Sequence, residues 1–242
     1  MRVKLLVEYD GTAFCGWQIQ KNGRTVQQEI ETAIKKVTGE TVKVTGSGRT
    51  DSGVHAIGQV AHFDTQSTVP ADKFTYAING FLPSDIRVLK SESVSEDFHA
   101  RYSAKAKTYQ YKFFLSDIEN PLKTRYAVRV DALNLQKMID GANAIIGEHD
   151  FKCFCATGSD VESTVRTVYG IDIKNADGFV TVTVRGNGFL YNMVRMIVGA
   201  LKALSDGKIV VEDIKKSLLT GERLKNTATM PAKGLTLVNV EY

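Results

Sequence analysis

Apolar and polar residues alternate at the start of the chain. Val3, Leu5, Val7 and Tyr9 fall on one face, and this period of two predicts a β-strand over 3–9. The period then changes. Thr25-Val26-Gln27-Gln28 has the form of a capping box. Behind it, Val26, Ile30, Ala33, Ile34 and Val37 recur at helical spacing up to Gly39, which closes the helix. Strand-like segments follow at 41–46 and 57–64, a helical stretch runs from Pro70 to about Phe81, and 85–94 reads as another strand. The order is β-α-β-β-α-β, the ferredoxin-like pattern.

The rhythm then repeats. Residues 107–115 alternate like a strand, and Leu133, Leu135, Met138, Ile139, Ala142 and Ile145 mark a helix over 133–146. Strands fit 166–174 and 178–185, helices fit 189–204 and 211–219, and 235–241 closes the chain as a strand. The fold class expected is α+β: two ferredoxin-like halves, 1–105 and 106–242, sharing a central, mostly antiparallel sheet. No Pro/Gly/Ser linker separates them, so continuous packing is expected, with a cleft between the halves where ligands usually bind.

Composition narrows this picture modestly. The 242 residues suffice for a sizeable core, and 43% apolar with 24% charged residues is ordinary for a soluble globular protein. Lys and Arg number 31 against 27 Asp and Glu, a formal charge of +4 that permits a polyanionic partner without demanding one. Cys15, Cys153 and Cys155 are an odd count that does not resemble a disulfide framework, so a reducing cytoplasm is the simpler setting. The N-terminal apolar stretch turns polar at Glu8, too short for the core of a signal peptide. Nowhere is there a run of about eighteen apolar residues, so no membrane span is expected.

The most informative segment is Gly46-Ser-Gly-Arg-Thr-Asp-Ser-Gly-Val-His55. Gly46, Gly48 and Gly53 suit a tight loop with positive φ, open to close approach by another molecule. Arg49 favours the ionised form of Asp51, and a fixed carboxylate can act as nucleophile, base or metal ligand. A Gly-Asp turn joining two strands is the plainer reading. Between Asp97 and Lys112, cations interleave with Tyr102, Tyr109 and Tyr111, a pattern that suits phosphates and bases of looped RNA, or equally a solvated strand edge. Arg195 interrupts an apolar helix, and buried arginines are rare unless paired. Asp51 is a candidate partner, and a structural pair elsewhere is the alternative. His149, Cys153 and Cys155 lack a convincing fourth ligand for zinc, so no metal is expected. Neither a Walker-type nor a Rossmann glycine motif is present, and no nucleotide cofactor is supported.

Gly-Arg-Thr-Asp-Ser-Gly-Val-His-Ala over 48–56 resembles the catalytic loop of tRNA pseudouridine synthases of the TruA type. The resemblance spans essentially the whole chain, through Glu8–Thr12, Gly16–Gln18, Thr25–Gln27, Gly58–Phe63, Asp97–Arg101, Tyr109–Tyr111, Met193–Arg195 and Gly234-Leu235. It implies the pseudouridine synthase fold, with Asp51 as the nucleophile that attacks the target uridine, at ribose C1′ or at base C6. It also implies that Arg49 helps extrude the uridine, Tyr109 stacks on the flipped uracil and assists loss of the C5 proton, Arg195 pairs with Asp51, and Leu235 lines the pocket wall. His55, Gly58, Gln59 and Arg101 join the substrate-binding set on the same basis. The implied partner is the anticodon stem-loop of tRNA, modified at positions 38, 39 and 40 by a homodimer without a cofactor.

Two other classes compete. Thr50-Asp-Ser-Gly53 resembles the aspartic-protease turn, but that chemistry needs two such aspartates sharing a proton. A non-catalytic RNA-binding module of the same fold would retain its effect without Asp51.

Overall fold

The computed structural model describes residues 1–158 and 161–242. In chain order its strands and helices are β1 (Arg2–Tyr9), α1 (Val26–Thr38), β2 (Thr45–Gly46), β3 (His55–Asp64), α2 (Phe74–Asn79), β4 (Ile86–Val94), β5 (Ala106–Leu115) and β6 (Val128–Val130). There follow α3 (Leu135–Ile145), β7 (Gly147–Asp150), β8 (Val165–Ala176), β9 (Phe179–Gly186), α4 (Met193–Ser205), α5 (Val211–Thr220) and β10 (Leu235–Glu241). They form two compact units, Met1–Lys105 with Thr236–Tyr242, and Ala106–Leu235. The last strand, from Thr236 onward, is therefore grouped with the first unit.

In the first unit β1 lies between β4 and β3, antiparallel to both, and β2 pairs antiparallel with the far side of β3. The strand order β4-β1-β3-β2 is the ferredoxin-like one. The alternating face seen in sequence is the core face: Val3, Leu5, Val7 and Tyr9 are all buried. On α1, Val26, Ile30, Ala33 and Ile34 are buried as well. The far edge of β3 is divided along its length. Thr45 and Gly46 of β2 pair with His62 and Ala61, while Thr236 and Leu237 of β10 pair in parallel with His55 and Ala56. Gly58 permits that second contact, because a Cβ there would sit 2.1 Å from the Val238 carbonyl oxygen.

Two local expectations are corrected. The strand expected over 41–46 shrinks to Thr45–Gly46 because α1 side chains take the backbone groups of Val44. The Glu31 carboxylate accepts its N–H at 2.9 Å, and the Gln27 amide donates to its carbonyl at 3.1 Å. The capping box does not form either. Thr25 occupies the N-cap position in extended conformation, but its side chain makes no cap bond, and its buried hydroxyl has no partner among the described residues.

In the second unit the strands run β6-β5-β9-β8-β7, antiparallel except for β5 and β6. Strands β5, β9 and β8 repeat the last three positions of that order, β1-β3-β2. The β8–β9 hairpin closes through Asp177-Gly178, both at positive φ, as a two-residue turn between twisted strands demands. The helix expected from 189 begins only at Met193, because Asn192 is left-handed (φ 61°) and breaks the run. The helix expected from 133 begins at Leu135, since the Asn134 side chain accepts the Lys137 N–H and caps it.

His62 on β3 adds a pH-sensitive contact. It is 6% exposed and its Nδ1 accepts the Ala100 N–H at 3.2 Å. Burial, with His99 and Arg2 close by, lowers its pKa to about 4 against a weak opposing effect of Asp64. The unfolded chain binds this proton from about pH 6.5 downward, and the folded chain does so only near pH 4. Stability from this group is therefore complete above about pH 6.5 and falls as pH drops toward 4. His62→Gln, whose amide oxygen can accept the same N–H, should flatten the dependence of the urea midpoint on pH in that window. An unchanged slope would remove His62 as its source.

Candidate functional site

Residues 47–54 connect β2 to β3, and they are tied down from below. The Ser47 N–H donates to the Val60 carbonyl at 2.7 Å, and its hydroxyl donates to Gln59 Oε1 at 2.7 Å. Gln59 Nε2 donates in turn to the Gly48 carbonyl at 3.0 Å. The Tyr9 hydroxyl and Thr50 Oγ1 are 2.8 Å apart in a buried hydrogen bond. Phe14 and Trp17, which follow the first 3-10 turn (Gly11–Ala13), hold the other side. Trp17 N–H donates to the Thr50 carbonyl at 3.1 Å, while Gly53 N–H and the Ser52 hydroxyl both donate to the Phe14 carbonyl, at 3.3 and 3.2 Å. Val54 N–H closes a turn on the Asp51 carbonyl at 3.1 Å.

These ties sort the side chains. Ser47 and Thr50 point into the core, Arg49 and Ser52 are exposed, and Asp51 is half-buried between them. Burial pushes the Tyr9 phenol up to about 12, against opposing effects of Thr50 and Gln59, so it remains a neutral hydroxyl throughout the working pH range. Of the three glycines expected at positive φ, only Gly53 (φ 78°) adopts it. Gly46 serves close packing instead, since a Cβ there would meet the Trp17 indole at 2.6 Å.

The remaining expected site residues of the first unit divide. His55 opens β3, is 3% exposed, and its Nδ1 accepts the Gly11 N–H at 3.0 Å with Asp10 Oδ1 3.2 Å away. Gln59 is fully buried and holds the loop from beneath, and Gly58 accommodates β10. All three are internal placements. Arg101 is exposed on a separate turn, with its guanidinium 5.6 Å from the ring centre of the exposed Tyr102. Tyr102 in turn stacks on His99, at 4.3 Å between ring centres.

In the second unit, Tyr109 and Tyr111 share the inner face of β5. Tyr109 is 8% exposed and meets Phe189 edge-on at 5.3 Å. The fully buried Tyr111 donates to the Pro231 carbonyl at 2.8 Å, and burial raises its pKa, partly offset by nearby Arg195. Arg195 stands in the first turn of α4, half-buried. Its Nε donates to the Met230 carbonyl at 2.6 Å and an Nη to Asn192 Oδ1 at 2.7 Å, so it fastens the segment ahead of β10 to α4. Leu235 begins β10 and is 5% exposed. Cys153 is buried, which raises its thiol pKa, and among the described residues no three His, Cys, Asp or Glu side chains converge as a metal site.

Sequence reasoning gave no role to Tyr9, Ser47 and Trp17, although each lies in a segment that it singled out; only the position of the loop gives each a polar partner or a backbone to hold.

Gly16 supports the loop through its own backbone. It lies at φ 92°, and a Cβ on it would fall 2.6 Å from the Thr50 carbonyl oxygen. Gly16→Ala should cost roughly 2–4 kcal/mol, from left-handed strain plus the displaced loop. That reads as a melting temperature lower by about 5–15 °C. Gly39→Ala, also at positive φ but facing open space, is the control and should cost about 1–2 kcal/mol. Equal effects at the two positions would show that contact with the loop contributes nothing.

Comparison with known proteins gives a consistent result. A family model described as tRNA pseudouridine synthase matches residues 5–103 and 142–242. The chain is 48% identical to tRNA pseudouridine synthase A of Ruminiclostridium cellulolyticum over 243 residues, covering 100% of this chain and 99% of that one. It is 46% identical to the Bacillus pumilus protein of the same name, over 100% and 99% of the two chains. The corresponding protein of a Thermoanaerobacter species is 45% identical, over 99% of each. With a loop that offers one carboxylate from a tightly held backbone, and similarity that runs from end to end, this chain belongs to the tRNA pseudouridine synthase family.

Proposed function

We propose that this chain converts uridine to pseudouridine at positions 38, 39 and 40 of the tRNA anticodon stem-loop, with Asp51 as nucleophile and without a cofactor. Membership in the family carries the reaction class, that of an isomerase acting on uridine in tRNA. The position of Asp51 carries the assignment of the nucleophile: it is half-buried on a loop whose neighbouring residues are bonded inward.

The chemistry is redox-neutral and conserves every atom. The N1–C1′ bond breaks, the detached uracil turns, a C5–C1′ bond forms, C5 gives up its proton and N1 gains one. A carboxylate can supply the covalent intermediate that lets the base turn without being lost, by adding at C1′ or at C6. Arg49, exposed beside Asp51, is suited to fill the space of an extruded nucleotide. In the proposed site Tyr109 stacks on the flipped uracil and assists loss of the C5 proton, Leu235 forms the apolar wall, and Arg195 keeps the carboxylate ionised. His55, Gly58 and Gln59 contribute by holding the loop and β3, and Arg101 meets the RNA backbone. A homodimer bridged by one tRNA is part of the same proposal.

The test uses tRNA transcripts carrying tritium at uridine C5, with uridine retained at one of the three positions at a time. Wild type should release tritium from each without added cofactor or metal. Asp51→Ala should bind the same transcripts within about twofold, yet release less than about one-thousandth as fast. Comparable release by Asp51→Ala would dismiss Asp51 as the nucleophile. Release confined to uridines elsewhere in the tRNA would dismiss the anticodon assignment.

A further inference from the structure

The loop rests on a polar cluster that no step of the reaction uses. Tyr9, Ser47, Thr50 and Gln59 are between 0% and 7% exposed. Burying such groups is unfavourable unless each is bonded, and here the bonds form a directed set. Tyr9 reaches the Thr50 side chain, while Gln59 accepts from Ser47 and donates to the Gly48 carbonyl. Apolar residues of similar size at positions 9 and 59 would fill the same space but would not select one loop conformation.

We propose that Tyr9 and Gln59 are positioning residues for Asp51, acting through Thr50 and through Ser47-Gly48 to hold the loop in one arrangement. The proposal rests on the reading of Asp51 as nucleophile. Three observations support it. First, the two side chains share one face of the sheet: Val7 pairs with Gln59 and Tyr9 with Ala56, so β3 carries an extra residue against β1. A bulge of this kind re-aims side chains and is common beside active sites. Second, the clamp grips every inward-facing point of residues 47–50, just before Asp51. Thr50 is held by its side chain from Tyr9 and by its carbonyl from Trp17, so the peptide leading into Asp51 has little freedom to rotate. Third, the outward Arg49 takes no part in the clamp and stays exposed, so the clamp fixes the backbone and leaves that face open to a ligand. A misplacement of about 1 Å at a reacting group can cost around a hundredfold in rate.

The experiment measures single-turnover tritium release from C5-labelled tRNA, tRNA affinity, melting temperature and amide hydrogen exchange over 47–54. The proteins are wild type, Tyr9→Phe, Thr50→Val and the double variant. Tyr9→Phe should slow release about 10–100-fold, hold affinity within about twofold, and speed exchange of the loop amides. The double variant should be no slower than the worse single one, because both remove the same bond. Ser47→Ala, which frees one arm of Gln59, should act in the same direction. Wild-type release rates and exchange in Tyr9→Phe would overturn the proposal, as would a rate loss that merely follows weakened tRNA binding or melting. If wild type itself releases no tritium, the nucleophile reading fails, and with it a positioning role in catalysis; the exchange data then report only whether the clamp orders the loop.

Discussion

Strand β3 is the element on which the first unit depends. It is buried along nearly its whole length, with β1 on one side and its other edge shared between β2 and β10. Sharing one edge is possible only because β2 is two residues long and because Gly58 presents no Cβ to the backbone of β10. The chain leaves β2 and returns to the first residue of β3 through the loop of Asp51. The position of the loop is therefore set by strand pairing at both ends. A buried strand paired on both edges is among the more rigid supports a protein offers.

The loop is then refined by polar contacts in a place where apolar packing would have sufficed for stability. Net stabilisation by a buried hydrogen bond is modest, on the order of 1 kcal/mol, whereas leaving a partner unsatisfied costs more. That asymmetry penalises alternative loop conformations more strongly than it rewards the native one. In the proposed role of Asp51 as nucleophile, rigid support is a physical requirement, because the carboxylate must meet one carbon atom in a defined geometry. The second unit uses its polar groups differently. Arg195 and Tyr111 both bond backbone carbonyls of the segment just before β10, at Met230 and Pro231, and so fix where that strand begins.

Hydrophobic periodicity made most of the fold legible. Val3 to Tyr9, the α1 stripe and the buried residues of α3 each follow from a repeat that depends only on near neighbours. The short elements were not legible. Strands β6 and β7, of three and four residues, are too brief to show a period. The loss of strand structure at 41–44 depends on Gln27 and Glu31, which sit on the preceding helix. The start of α4 depends on one left-handed asparagine, a conformation that a helical pattern does not reveal.

The candidate site divides along the same line. The residue types of 46–55, together with short motifs in order along the chain, were enough to place the protein among the tRNA pseudouridine synthases and to single out Asp51. Its support was not visible, because the partners are far apart in sequence: Tyr9 and Thr50 are separated by 41 positions. Nor does sequence distinguish an exposed glutamine from one buried under a loop, or a glycine chosen for its φ from one chosen for close packing. Local chemistry determined which residues could act. Which of them face solvent, and which hold the others in place, was decided by strand register and by where a folded backbone brings buried polar groups within hydrogen-bonding reach.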